Sequence, residues 1–123
     1  MYNDMPWTGS RARAFVPSEY YASSFDGYAQ ILRERRVRSD EIGTHAGLAD
    51  TSLQLAVVPQ MVRVEELRNA AKPGVADGVY GGDPRHASSE FGQLGVEAIV
   101  AHTVKAINTQ PGRYSLGDTG NIR

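Results

Sequence analysis

Six residues, Leu53 to Val58, restrict the possible folds of this chain more than any others. Leu53, Leu55, Ala56, Val57 and Val58 cover most sides of a helix, and Pro59 breaks it. A helix that is apolar nearly all round is buried rather than laid on a surface, so it needs neighbours. The strongest candidate neighbour is the run from about Ala87 to Asn108. There Val96, Val100, Val104 and Ile107 form one apolar side, and Phe91, Leu94, Ala98 and Ala101 form another. Two apolar sides imply packing between two layers.

A further helix is expected to begin at Ser18, which has the chemistry of an N-cap. Tyr21, Phe25, Tyr28 and Leu32 follow at intervals of four, three and four, one helical stripe. Gly27 weakens it by about 1 kcal/mol relative to alanine, so packing decides whether it forms. This helix should end near Arg36 to Arg38. Ser39-Asp40-Glu41 then starts one more short turn, stopped by Gly43. Residues 72–85, KPGVADGVYGGDPR, hold four glycines and two prolines and read as a long irregular loop. Val62, Val64 and Leu67 suggest another helical turn before it. Arg11 to Val16 is expected to form a short strand with Ala12, Ala14 and Val16 on one face, ended by Pro17. Residues 1–17 are thus an arm that Trp7 can anchor, residues 18–109 the folded body, and residues 110–123 a polar, glycine-rich mobile tail. The expected class is α/β, helix-rich with few strands. Three helices and one strand supply too few partners for the 53–58 segment, so a sheet or another chain should cover it.

At 123 residues, one domain with a modest core is expected. The net charge is −1, from 13 basic and 14 acidic residues, which gives no footprint for nucleic acid. The one basic cluster, Arg33, Arg35, Arg36 and Arg38, is interrupted by Glu34 and followed by Asp40 and Glu41, as a solvated helix end would be. The absence of cysteine excludes disulfides, thiolate metal sites and a cysteine nucleophile. No apolar run has the length of a membrane span, and MYNDMPWTGSRAR lacks the apolar core of a signal peptide, so the cytoplasm is the expected compartment.

The chemistry concentrates in IGTHAGLAD, which sets His45 and Asp50 directly before the apolar helix. An imidazole titrates near neutrality and suits acid–base work. An acid ahead of a helix equally serves as a cap, worth about 1 kcal/mol. Thr51 and Ser52 read as cap and packing residues, because a serine nucleophile needs a base and oxyanion donors in place. Asp83 before Pro84 is expected to turn the chain into the last helix, and Glu90 suits that helix's positive end. His86 is placed on the surface and His102 on the last helix. Gly81-Gly82 is a turn; the Lys-Ser/Thr of a phosphate loop does not follow it. A catalytic zinc takes three protein ligands. His45 and Asp50 supply two at most, so no resident metal is expected in the chain alone.

Three blocks, taken together, resemble the creatininase family of metal-dependent amidohydrolases. THAGLADTSLQLAVVP is similar to the family's His-Ala-Gly loop, acid, Thr-Ser and buried helix, here His45, Ala46, Gly47, Asp50, Thr51 and Ser52. GGDPRHASSEFGQLGVEAIV is similar to its Gly-Asp-Pro, Ala-Ser, Glu, Gly signature, here Gly82, Asp83, Pro84, Ala87, Ser88, Glu90 and Gly92. EYYASSFDGYAQILRERRVRSDEIG resembles the helix before the loop. The loop departs mildly from the pattern: the family usually has glutamate at the position of Asp50 and often at that of Leu48.

The resemblance implies a partial creatininase-like three-layer fold and hydrolysis of non-peptide C–N amide bonds. It assigns His45 and Asp50 to catalysis, with Thr44 and Gly47 at the substrate. The family uses a divalent metal, zinc or manganese. Its Glu-x-His-Gly motif, metal-bridging Asp and Asn-Gly-His strand end have no counterpart here, so the resemblance is to the C-terminal half only. The chain alone is therefore expected to be inactive. Three readings stay open: an orphan half, a split amidohydrolase completed by a complementary metal-binding chain, and a non-catalytic protein that binds a small ligand. The uncovered apolar sides imply a homodimer or larger assembly, with Tyr2, Met5 and Trp7 of the arm as an exchanged piece.

Overall fold

A computed structural model describes residues 16–109. The expected strand at residues 11–15, the arm residues Tyr2, Met5 and Trp7, and the tail at 110–123 lie outside them. Val16 is exposed and belongs to no strand.

Helix α1 (Ser18–Ala22) runs through a π-helical turn (Ser23–Gly27) into α2 (Tyr28–Glu34). Ser18 is the first helical residue, not the cap. Pro17 takes the cap position, with its fixed φ and without a side-chain bond. The π turn adds about one residue to a turn and rotates the helix before it by roughly 100° relative to the helix after it. The Tyr21–Phe25–Tyr28–Leu32 stripe is therefore split. Tyr28 and Leu32 are buried, whereas Tyr21 and Phe25 are exposed. Ser23 faces inward instead, its hydroxyl hydrogen-bonded to His102 Nδ1.

Helix α2 ends as its backbone bonding dictates. Arg36 adopts φ 66°, the Val37 N–H donates to Leu32 O at 3.0 Å, and the Arg36 N–H donates to Arg33 O at 2.9 Å. This is the paired 6→1 and 5→2 closure of a Schellman motif, with Val37 and Leu32 in hydrophobic contact across it. The surrounding arginines are exposed, as a solvated helix end requires. Helix α3 (Ser39–Ile42) is the expected short turn, stopped by Gly43 at φ 78°.

Helix α4 (Leu48–Val57) starts three residues earlier than expected. A 3₁₀ turn (Pro59–Met61) and α5 (Val64–Asn69) follow. The irregular loop then carries 3₁₀ turns at Val75–Asp77 and Pro84–His86 before α6 (Ser89–Thr109). The Ser88 hydroxyl accepts the Phe91 N–H at 3.2 Å and caps α6. Asp83, expected to help start that helix, instead caps the 3₁₀ turn by accepting the Arg85 N–H.

The frame is α4 crossed on α6, with α2 packed against both. Gly92 makes the crossing possible: a Cβ there would overlap the Ser52 carbonyl. The core is Tyr28, Leu32, Val37, Ile42 and Leu48, joined by Leu53 and Phe91. The Tyr28 hydroxyl donates to Phe91 O at 3.0 Å, and burial pushes its pKa up to about 12.

Two expectations are corrected. Only the helix-rich part of the α/β class holds: among the described residues the sole β pairing is one isolated bridge, His45 with Tyr80, so no sheet layer forms. Helix α4 is not buried all round either. Leu48 and Ser52 are fully buried, but Val57 is 64% exposed. Among the described residues, Val57 of α4 and Val100, Val104 and Ile107 of α6 are left uncovered. Among the described residues no helix is long and apolar enough to cross a membrane.

Candidate active site

The loop between α3 and α4 carries His45, and three features hold it. Gly43 and Gly81 pass backbone to backbone, so closely that a Cβ on Gly43 would lie 2.6 Å from Gly81 O. Tyr80 then serves as the loop's anchor. Its carbonyl accepts the Thr44 N–H at 2.9 Å and the Thr44 hydroxyl at 2.8 Å, and its N–H donates to His45 O at 2.9 Å. The imidazole of His45 lies 5.8 Å from the Tyr80 ring, tilted by 57°. Beyond His45, Ala46 takes φ 52°, a left-handed conformation that favours glycine. The Asp50 carboxylate accepts the Ala46 N–H at 2.8 Å and holds that turn.

Asp50 is therefore not the N-cap. Gly47 occupies the cap position, and Asp50 sits three residues inside, where its carboxylate reaches back past the cap to the Ala46 N–H and suits the positive helix end. Gly47 itself is buried against the Ile42 and Gly81 carbonyls and borders neither of the two clefts that flank the loop.

One cleft, of about 590 Å³, is lined by His45, Asp50 and Gln54 and, from the segment after α4, by Met61, Arg63 and Glu66. Arg63 and Glu66 form an exposed ion pair at 3.0 Å. A second cleft, of about 380 Å³, is lined by Thr44 and again Asp50, with Phe25, Tyr28 and Arg33. His45 and Asp50 thus share the first cleft, while Thr44 lines only the second.

Behind the loop, Asp83 is 4% exposed and paired with Arg85 at 2.8 Å; the guanidinium holds its carboxyl down at about 2. Ser52 is fully buried and accepts the Ser88 N–H at 3.2 Å, a packing role. His86 lies on the surface 3.3 Å from Glu41, and His102 is on α6 away from the clefts at the His45 loop. Tyr80 was not singled out from the sequence; its only signal is its place before Gly81-Gly82. Nor were Gln54, Met61, Arg63 and Glu66, which carry no motif.

Among the described residues, no three or more His, Asp or Glu side chains gather as a metal-ligand group. His45 and Asp50 alone do not fit a catalytic metal, which takes three protein ligands.

A family model described as creatininase, creatinine amidohydrolase, matches residues 8–107. No curated protein and no solved structure matches the chain.

Proposed function

Because the chain belongs to the creatininase family, we propose that it contributes the acid–base loop and substrate cleft of a metal-dependent amidohydrolase acting on a non-peptide C–N amide bond. The observation that carries this reading is the pinned His45 loop, which sets an exposed imidazole on a cleft of about 590 Å³ that Asp50 also lines. That volume suits a small polar molecule.

His45 is the proton carrier. Its ring accepts a proton from the water that adds to the amide carbon and returns one to the nitrogen as the C–N bond breaks, as a positioned imidazole does. Asp50 fixes the loop on which that ring is mounted, and Thr44 fixes it from the other side through Tyr80. The ligands for the family's zinc or manganese come from residues outside the described set, in another segment or another polypeptide. A cysteine-free chain of this kind is suited to the reducing cytoplasm.

The test is an assay against creatinine and formamide-type substrates with added Zn²⁺ or Mn²⁺. The chain alone should be inactive. Co-expression with a polypeptide carrying a Glu-x-His-Gly motif should restore turnover, and His45→Ala should abolish it. Turnover that survives His45→Ala would overturn the role given to this residue.

A second reading, a non-catalytic binding cleft, is favoured by one observation: the Asp50 carboxylate is already engaged by Ala46. Micromolar binding of a cyclic amide, with no turnover in any combination, would select it.

A further inference from the structure

One long-range contact between side chains has no part in the His45 loop. Ser23 and His102, 79 residues apart, meet through the Ser23 hydroxyl and His102 Nδ1. Ser23 is the first residue of the π turn and is 5% exposed, whereas α1 before it buries no residue. Single π turns are frequent at functional sites, and this one turns Ser23 towards α6. His102 itself is exposed, so Nδ1 is engaged inside while the rest of the ring reaches the surface. Both residues line a cleft of about 350 Å³, together with Glu19 and Lys105. The small side chains of Ala22 and Ala106 form part of its wall. A hydrogen bond that only clips α1 to α6 needs no such cleft.

A serine becomes a nucleophile when a base within hydrogen-bond reach takes its proton. With its own proton on Nε2, the His102 ring presents the Nδ1 lone pair, and the Ser23 O–H donates to it. Lys105, one turn further along α6, brings a cation to the cleft, where it suits a developing oxyanion. Glu19, one turn before Ser23, brings a carboxylate that suits the imidazolium. We propose that Ser23 and His102 are a nucleophile–base pair in a second reactive cleft, which takes the acyl group of a small ester. Ser23 Oγ adds to the acyl carbon as its proton passes to His102 Nδ1. The bond from that carbon to the ester oxygen then breaks, and the departing alcohol takes the proton. Water next adds to acyl-Ser23 and gives a proton to the same nitrogen, which returns it to Ser23 Oγ as the acid leaves. The cleft volume suits a short acyl group.

The experiment treats the full chain with p-nitrophenyl acetate and, separately, with an alkyl fluorophosphonate, and maps the adducts by peptide mass spectrometry. Both probes should modify Ser23. The neighbouring Ser24 is the internal control: it is less buried, and its hydroxyl donates to Tyr21 O rather than to a base. His102→Gln should slow modification about 100-fold or more, the usual worth of a positioned base. Lys105→Met should slow it by less, about tenfold, because an exposed ammonium is screened. Lys105 is on the surface, so this variant reports even where His102→Gln fails to fold, which circular dichroism checks. An unmodified Ser23 in the wild type overturns the proposal and leaves the pair as a clip between α1 and α6. So does modification of Ser24 as fast as Ser23, or a rate at Ser23 that a folded His102→Gln variant or Lys105→Met leaves unchanged.

Discussion

The carboxylate of Asp50 accepts the backbone N–H of Ala46 at 2.8 Å, within the loop that carries His45. The bond crosses the only non-glycine residue of that loop in the left-handed region, so it holds the chain where the backbone is strained. Removing the acceptor leaves the strain in place and takes away the bond that offsets it. Asp50→Ala should therefore cost about 0.5–1.5 kcal/mol, the net worth of such a bond, whereas Asp50→Asn, which keeps an acceptor oxygen, should be nearly neutral. Urea unfolding of the three proteins reads this directly. Equal midpoints for all three would mean that the bond does not hold the loop.

Ala46 offers the converse experiment. Its φ of 52° costs an alanine about 1–2 kcal/mol and a glycine little. The greater freedom of glycine in the unfolded chain returns part of that. Ala46→Gly should thus stabilise the protein by roughly 0.5 kcal/mol, while loosening the His45 ring as seen in its NMR line widths. A clear loss of stability would contradict the strain.

Gly92 sits where α6 touches the Ser52 carbonyl of α4, and the obstacle to a side chain there is backbone, which cannot rotate away. Gly92→Ala should cost about 1–3 kcal/mol or more through overpacking. Gly74, whose added Cβ would meet nothing, is the control. Gly74→Ala should change stability by no more than about 0.5 kcal/mol in either direction. Similar thermal midpoints for the two variants would show that the helices separate freely at this crossing.

Asp83 predicts an acid limb. Its folded pKa, about 2, lies below the ordinary value of 3.8 because of the Arg85 side chain and its N–H. A depressed carboxylate adds stability above its unfolded pKa and loses it as pH falls through the folded one. The contribution should be complete above about pH 5, decline from about pH 4 to 2, and amount to about 2 kcal/mol. Asp83→Asn should lose it at neutral pH and flatten the acid limb in pH-dependent urea titrations. An unchanged limb would assign acid unfolding to other carboxylates.

The parts of this fold that are legible in sequence are those written in side-chain spacing. The extent of α6, the short α3 stopped by Gly43 and the irregular run at residues 72–85 follow from apolar intervals and from glycine and proline. What spacing does not encode is an inserted residue. Nothing in SSFDG distinguishes a π turn from an α turn, so Phe25 was expected inside and lies outside. The candidate site is half legible. His45 and Asp50 stand out as types, but Asp50 was expected at the cap, because Leu48 and Ala49 do not announce a first turn. Tyr80 acts through its main chain, which every residue possesses, so no side-chain pattern reveals it. The open sides of α4 and α6 were legible as a shortage of partners, though not which face each helix would leave exposed.

The His45–Tyr80 bridge also bears on how such a cleft diversifies. It ties together two positions separated by an excursion that contains α4, α5 and two 3₁₀ turns. Met61, Arg63 and Glu66 belong to the outer part of that excursion, while the histidine belongs to its knot. Lengthening a surface excursion is thermodynamically mild, about 0.6 kcal/mol for each doubling of a flexible loop. One rim of the cleft can therefore be rebuilt by insertion, deletion or exchange of residues 59–77 while the clasp that aims His45 stays closed. On the proposed function, the clasp that holds His45 is the fixed element and residues 59–77 the replaceable one, so a change of ligand is reached by editing the second without reopening the first.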